Sequence, residues 1–273
     1  MALFPEARCA IALGWSLGSA GAPGDVAVEY AHSVAAAAEA AGFRLQFFLS
    51  SAALEPTCDW LRRLVSAGHV ADVLGSEQLA SADGDAEAAG AQLAQAAGAV
   101  AACAGQAPHG VRVPGAAATG LHDLPGRQQV VLRQGMTYVS SLYATKSPTS
   151  KYDIFADKNA YMIMKHHQPR RYESGLLEIP MSGYADDHFF DELQRPLDQW
   201  IQHLRNCLDF AYDMGGLLHA PALHLEVHAR HDPQCEAMAA LVDHAHRKHD
   251  PVRFCTYREV AAEFARGEVA GEP

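Results

Sequence analysis

The stretch Leu218–Pro233, LHAPALHLEVHARHDP, gathers the densest set of side chains able to do chemistry. His224, Glu226 and His228 alternate there with Leu223, Leu225 and Val227. Successive strand residues point to opposite faces, so a strand here would turn His-Glu-His one way and the apolar trio the other. Two imidazoles bracketing a carboxylate suit the lining of a polar cavity at a barrel mouth, with the apolar residues meeting helices outside. The plainer alternative is a solvent-facing strand with polar residues. A second group is Asp186-Asp187, with His188 beside them. Neighbouring carboxylates raise one another's pKa, which fits general acid–base work. The same pair could instead cap a helix opening at FFDELQ.

These groups need a frame, and the chain supplies one. Cys9–Trp15 reads as a buried strand that runs into the Gly-rich loop SLGSAGAPGD. That loop lacks the Gly-Lys-Ser/Thr ending of a phosphate loop. Asp25 is a plausible N-cap for a helix over 26–41 that Gly42 stops. Strands are expected at 44–49, 69–74, 111–113, 136–142, 176–180 and 252–255. Helices are expected at 55–67, 85–104, 120–134, 189–214, 233–249 and 257–266. Residues 143–172 form a long polar excursion of the kind that serves as a lid or binding loop. Strands alternating with helices imply a mostly parallel sheet with right-handed crossovers, and about seven such units suggest a barrel.

Size and charge narrow the function. The chain has 273 residues and 49% hydrophobic content, enough for one large domain. Its formal charge of −11 argues against nucleic acid or an anionic membrane as partner. There is no apolar run of eighteen residues, and MALFPEARCAIALGW lacks the basic start of a signal peptide. The expected location is the cytoplasm. Cysteines at 9, 58, 103, 207, 235 and 255 show no Cys-x-x-Cys pair and are expected to be reduced and packed.

Several segments together resemble the polysaccharide deacetylases, carbohydrate esterase family four. They are GFRLQFFLSSAALE at 42–55, LVSAGHVADVLGS at 64–76, VRVPG at 111–115, LLEIPMSGYADDHFF at 176–190, and VHARHDP followed by FCTYREVAAEFA. The resemblance covers roughly 9–266 and implies a single α/β domain over 1–273. That domain would be a distorted (β/α)7 barrel with its site at the strand C-termini. The family's first motif, Thr-Phe-Asp-Asp-Gly, is replaced by Ala12-Leu13-Gly14-Trp15-Ser16. Leu74 and Gln78 stand where its two metal-binding histidines would be. The usual triad of one Asp and two His therefore cannot form there, and no ion is expected at that position. The resemblance matches His228 to the family's late histidine and Asp186-Asp187 to its acidic loop. Arg112 keeps the Arg-x-Pro pattern, in which the family's arginine steadies a catalytic Asp. With that Asp gone, Arg112 either takes Asp186 or Glu178 as a structural partner or grips a substrate carboxylate or phosphate bidentately. Trp15 is a stacking platform or a plug for the lost metal cavity.

The resulting expectation is a diverged deacetylase-like enzyme acting on a small polar molecule, such as an amide, N-acyl sugar or biosynthetic intermediate. It would use metal-independent chemistry by His228, Glu226, Asp186 and Asp187, with Arg112, Trp15, Glu178 and His188 binding the substrate. The alternative is a catalytically inactive scaffold acting as a binding or partner subunit. No cofactor is expected; the competing idea is zinc at a relocated site using His228 with help from Asp232, Asp186 or His188. In an extended strand His224 and His228 would lie about 13 Å apart, too far to share one ion. Assembly into a homo-oligomer is left open.

Overall fold

The computed structural model describes residues 3–18, 25–54, 58–114, 120–143 and 164–270. The main sheet contains β2 (Gly14–Leu17), β3 (Gln46–Leu49), β4 (Val70–Leu74), β5 (Gly110–Arg112), β6 (Tyr138–Ser140), β7 (Arg170–Arg171), β8 (Leu177–Glu178) and β10 (Ala222–His224). Its order is β10-β2-β3-β4-β5-β6-β8-β7, parallel except for β7, which runs antiparallel to β8. A smaller parallel sheet has β1 (Cys9–Ala12) between β11 (Val252–Cys255) and β9 (Leu218–His219). The expected strand at Cys9–Trp15 is thus two strands. The chain changes hydrogen-bonding partners at Leu13, passing from β9 and β11 to β10 and β3. The segment after β8 draws the ring together, because Ser182 N donates to Ala220 O (2.8 Å) and Ala220 N donates to Ser182 Oγ (2.8 Å). The architecture is a distorted (β/α)7-type barrel.

Strand alternation sorts the core into two layers. Trp15, Leu17, Phe47, Leu49, Val73 and Val111 face outward into the helix layer. That layer is built by α1 (Asp25–Ala40), α2 (Asp59–Ser66), α3 (Ala86–Ala104), α4 (Pro125–Arg133), α5 (Leu197–Met214), α6 (Leu225–His231), α7 (Glu236–His246) and α8 (Tyr257–Ala270). Phe48, Leu74, Tyr138 and Leu177 face inward with Tyr257 and Val260, which α8 inserts into the barrel. The expected helix at 189–214 begins only at Leu197. Pro196, lacking an N–H, separates it from a short turn over His188–Glu192.

The barrel interior is polar at its base. Asp72, fully buried, pairs with Arg258 Nη2 (3.0 Å), accepts from Gln46 Nε2 (2.9 Å) and His109 N (2.6 Å), and holds the Tyr138 hydroxyl. Arg258 comes from α8, so this ion pair ties the last helix to the middle of the sheet.

The cysteines depart from expectation. Cys58, just before α2, and Cys103, in the last turn of α3, form a disulfide with their Cα atoms 5.0 Å apart. A spacing of 45 residues carries no motif, so the pairing arises only once the two helix ends meet. Such bridges are rare in the reducing cytosol, which sets this one against the expected cytoplasmic location. Cys9, Cys207, Cys235 and Cys255 are free and buried, as expected. Closing a loop of this length restricts the unfolded chain, so Cys103→Ser is expected to cost about 2–4 kcal/mol. Denaturant midpoints with and without reductant measure it; reductant should shift the wild type and leave the variant unchanged. No helix among the described residues is long and apolar enough to cross a membrane.

Candidate active site

The strand expected to run through Leu223–Val227 stops at His224, where α6 begins. The physical reason lies in burial. Leu225, His228, Ala229 and Asp232 are all buried, the i, i+3, i+4, i+7 pattern of a helix face. A short apolar-polar alternation fits either form, and packing decides. The helix changes what the segment can do. His224 and His228 are one turn apart and meet on the same carboxylate, that of Asp186. Glu226 leaves their side and instead accepts the Gly18 N–H at 3.1 Å, which holds the exit from β2.

Asp186 sits in the loop after β8, and its placement is over-determined. Tyr143 OH takes the Ala185 N–H at 2.6 Å, and Tyr143, Met181, Ala185 and Ala222 pack together. Gly183, at φ +82°, crosses over His203 with no Cβ to strain or crowd it. The fully buried Asp186 then accepts His224 N at Oδ2 (2.6 Å), and His224 Nδ1 (2.5 Å) and Asp187 N (2.8 Å) at Oδ1. Burial alone would raise the Asp186 carboxyl, but the charge and hydrogen bonds of His224, with His228 beside it, outweigh that and hold it below its ordinary value. His224 answers in kind. Burial pulls it down, the Asp186 carboxylate and its hydrogen bond pull it up more strongly, and it settles near 9. At neutral pH the two form an imidazolium–carboxylate pair. His224 Nε2 bonds to no described residue, and its side chain is about one-third exposed (34%).

The structure brings Asp187, His188 and His228 close to this pair, of which Asp186 is one member, and takes the other sequence candidates away from it. Asp187 is exposed and accepts the His188 N–H at 2.7 Å. His188 Nδ1 turns to Glu192 at 2.9 Å. His228 is 1% exposed, lodged among Trp15, Tyr30, Phe190 and Trp200 behind Asp186. It cannot touch a ligand at the mouth, which corrects its expected catalytic place. Glu178 points out of the barrel. It takes Ser141 N (2.8 Å), Ser141 Oγ (2.6 Å), Leu142 N (2.8 Å) and Tyr172 OH (2.7 Å), so its acceptors are spent on its own chain and it lines no substrate site. Trp15 also faces outward, edge-on to Tyr30 and His228, so it neither stacks a ligand at the mouth nor plugs the interior. The residue that the strand reading undervalued is His224. The signal for it was the His-x-x-x-His spacing itself, which is one helical turn.

Arg112 occupies the barrel centre. Its Nη1 donates to Gly14 O (2.8 Å) and Ser16 Oγ (3.1 Å), and its Nη2 to Tyr257 OH (2.6 Å). The guanidinium lies 4.2 Å over the Phe48 ring. Neither Asp186 nor Glu178 reaches it; among the described residues no carboxylate pairs with it. A Cβ on Gly14 would fall 2.6 Å from Nη2, so glycine is required for this packing. Arg112→Lys keeps the charge but loses the fork that reaches Ser16 and Tyr257 together. A loss of about 1–3 kcal/mol in unfolding free energy is expected, and an unchanged denaturation midpoint would show the fork to be dispensable.

The metal that the resembling family uses does not fit its usual place here. Trp15 faces away, Gln78 is exposed in a turn, Leu74 is apolar, and the Arg112 cation lies against Gly14. Elsewhere, Asp186, Asp187 and His224 each bring one donor atom within 4.8 Å of the others. His228 is not among them, and two of the three are already bonded to each other.

No protein-family model matches the chain, and no curated protein matches it by sequence. Solved structures do match. A Mycobacterium smegmatis protein assigned as a polysaccharide deacetylase superposes with TM-score 0.72 at 16% identity, covering 97% of this chain and 93% of that one. PuuE allantoinase gives 0.70 at 15%, covering 96% and 92%. A family 4 carbohydrate esterase pseudoenzyme from Bacillus anthracis gives 0.57 at 9%, covering 95% and 67%. The fold is that of the polysaccharide deacetylases.

Proposed function

We propose that this polysaccharide deacetylase-fold chain is a hydrolase that cleaves a C–N bond in a small polar molecule. Its substrate would be an amide, an N-acyl sugar or a biosynthetic intermediate, and its chemistry metal-independent. One observation carries the reading: His224, hydrogen-bonded through Nδ1 to the buried Asp186, presents an Nε2 that bonds to no described residue. In this scheme Asp187 takes a proton from water as the water oxygen bonds to the substrate carbonyl carbon. His224 Nε2 then gives its proton to the leaving nitrogen as the C–N bond breaks, and the proton held by Asp187 returns to His224 through solvent. Products are a carboxylic acid and an amine. The uncompensated charge of Arg112 beneath the mouth favours the negative charge that develops on the carbonyl oxygen. Fold neighbours described as a polysaccharide deacetylase and an allantoinase support the hydrolase class without fixing the substrate. The −11 charge speaks for a small-molecule partner over nucleic acid or a membrane surface.

A second reading has its own support. Arg112 lies against Gly14, in the stretch where the resembling family's first motif has its carboxylates, and one neighbour of this fold is described as a pseudoenzyme. The chain would then be a binding subunit. Amine release from a panel of N-acyl sugars and small amides, with and without a strong chelator, separates the two. Turnover that survives the chelator and disappears in His224→Gln is the expected result. Thermal stabilisation by a panel compound without turnover favours the binding subunit, and turnover abolished by the chelator overturns metal independence.

A further inference from the structure

We propose that His228 is a positioning residue that braces Asp186 from behind and so holds His224 in its donating orientation. His224 is the N-cap of α6, His228 lies in its first turns, and Asp232 is its C-cap. The three stand at i, i+4 and i+8, on one helix face. Asp186 is seated between the first two. His228 Nε2 lies 3.3 Å from Asp186 Oδ2, a contact without hydrogen-bond geometry, and this buried nitrogen has no hydrogen-bond partner among the described residues. On the far side of the ring, Nδ1 is 3.4 Å from Tyr30 OH and 3.7 Å from Asp232 Oδ2. Asp232 is itself immobilised, since Oδ1 accepts Glu236 N (2.7 Å) and Oδ2 accepts Ala237 N (3.0 Å) at the start of α7. His228 therefore sits between a fixed Asp232 and Asp186, close to each but hydrogen-bonded to neither, and Asp186 in turn holds the partly exposed ring of His224.

A fully buried carboxylate has about four lone-pair sites to satisfy. Three donors from His224 and Asp187 engage Asp186, and none of them comes from behind. Without a rear contact the carboxylate could rotate about its Cβ–Cγ bond and loosen the Oδ1 contact that orients His224. His228 supplies that contact, and Trp15, Tyr30, Phe190 and Trp200 hold its ring in place. The approach of Nε2 to within 3.3 Å of the buried Asp186 carboxylate is what sets His228 apart from a ring that only fills space.

This inference rests on the proposed role of His224, and its test is chosen to work without a substrate. Proton NMR of wild type should show a downfield His224 Nδ1–H resonance, assigned by its disappearance in His224→Gln. His228→Gln keeps a donor that can reach Asp186 and should retain the resonance. His228→Phe keeps the ring packing but removes both nitrogens, and should broaden or lose the resonance while its circular dichroism stays native. Where turnover is found, the Phe variant should lose about tenfold in kcat at constant KM, and Gln should restore most of it. A resonance equally sharp in wild type and His228→Phe overturns the proposal, as does its absence from wild type. Equal loss in the Gln and Phe variants also overturns it, since it assigns His228 a packing role alone. A failed activity screen with the NMR pattern intact would count against the hydrolase reading and leave the brace standing.

Discussion

His224→Gln is expected to lower turnover by about 10²–10⁴-fold, the usual contribution of one positioned acid–base group. Glutamine can still hydrogen-bond to Asp186, so the loop should stay in place and KM should change little. What disappears is the proton at Nε2. The pH dependence follows from the direction in which each partner is shifted. His224 titrates near 9 in the folded protein, against about 6.5 in an unfolded chain. Its contribution to stability is therefore complete below about 6.5 and is lost as pH rises through about 9. Asp186 is held low by His224, so its contribution is complete above about 4 and is lost as acid protonates it. Both groups are charged through the neutral range. Turnover should accordingly fall as pH rises through about 9. Melting temperature measured between pH 6.5 and 9 should slope downward in wild type and flatten in His224→Gln. A variant with full activity, or an unchanged alkaline slope, would remove His224 from the acid role.

The sequence made the frame legible because the signals for it are periodic and long. The helix at 85–104 appears as α3, with Asp85 accepting the Glu87 N–H and Gly105 closing it at φ 72°. Strands at 44–49 and 69–74 appear as β3 and β4 with their ends trimmed by one or two residues. What was not legible depended on contacts distant in the chain. Seven residues after His224 could be strand or helix until Trp15, Tyr30 and Trp200 were in place to receive them. A strand covered on both sides carries no polar-apolar alternation to mark its interior, so the sequence does not show that Glu178 and Trp15 face the helix layer. Cys58 and Cys103 had no local motif, and their meeting depends on how α2 packs on α3.

Asp72→Ala is expected to destabilise the protein by about 3–5 kcal/mol, the largest single stability loss among these substitutions. Asp72 is fully buried on the inner face of β4, and its partners come from four other parts of the chain: Gln46 on β3, His109 before β5, Tyr138 on β6, and Arg258 on α8. Removing the carboxylate does more than delete one ion pair. It leaves Arg258, only 17% exposed at its side chain, with no carboxylate at this place, and it removes the acceptor of a buried hydroxyl, a side-chain amide and a backbone N–H. Each abandoned donor costs about 1–3 kcal/mol where water cannot replace the partner, and partial relaxation keeps the sum below the simple total. Asp72→Asn separates charge from hydrogen bonding, because the amide oxygen can still accept but the guanidinium loses its anion. It should fall between wild type and Ala. Urea unfolding measures all three, with the slope of the transition checked for constancy so that midpoints convert to free energies. Arg258→Met in the same background tests the coupling. If the pair is what matters, the double variant Asp72→Ala/Arg258→Met should be more stable than Asp72→Ala alone, since it no longer buries an unpaired cation. A double variant as unstable as the sum of its parts would place the cost in the abandoned hydroxyl, amide and backbone donors, and the tie between α8 and the sheet would then be one of packing.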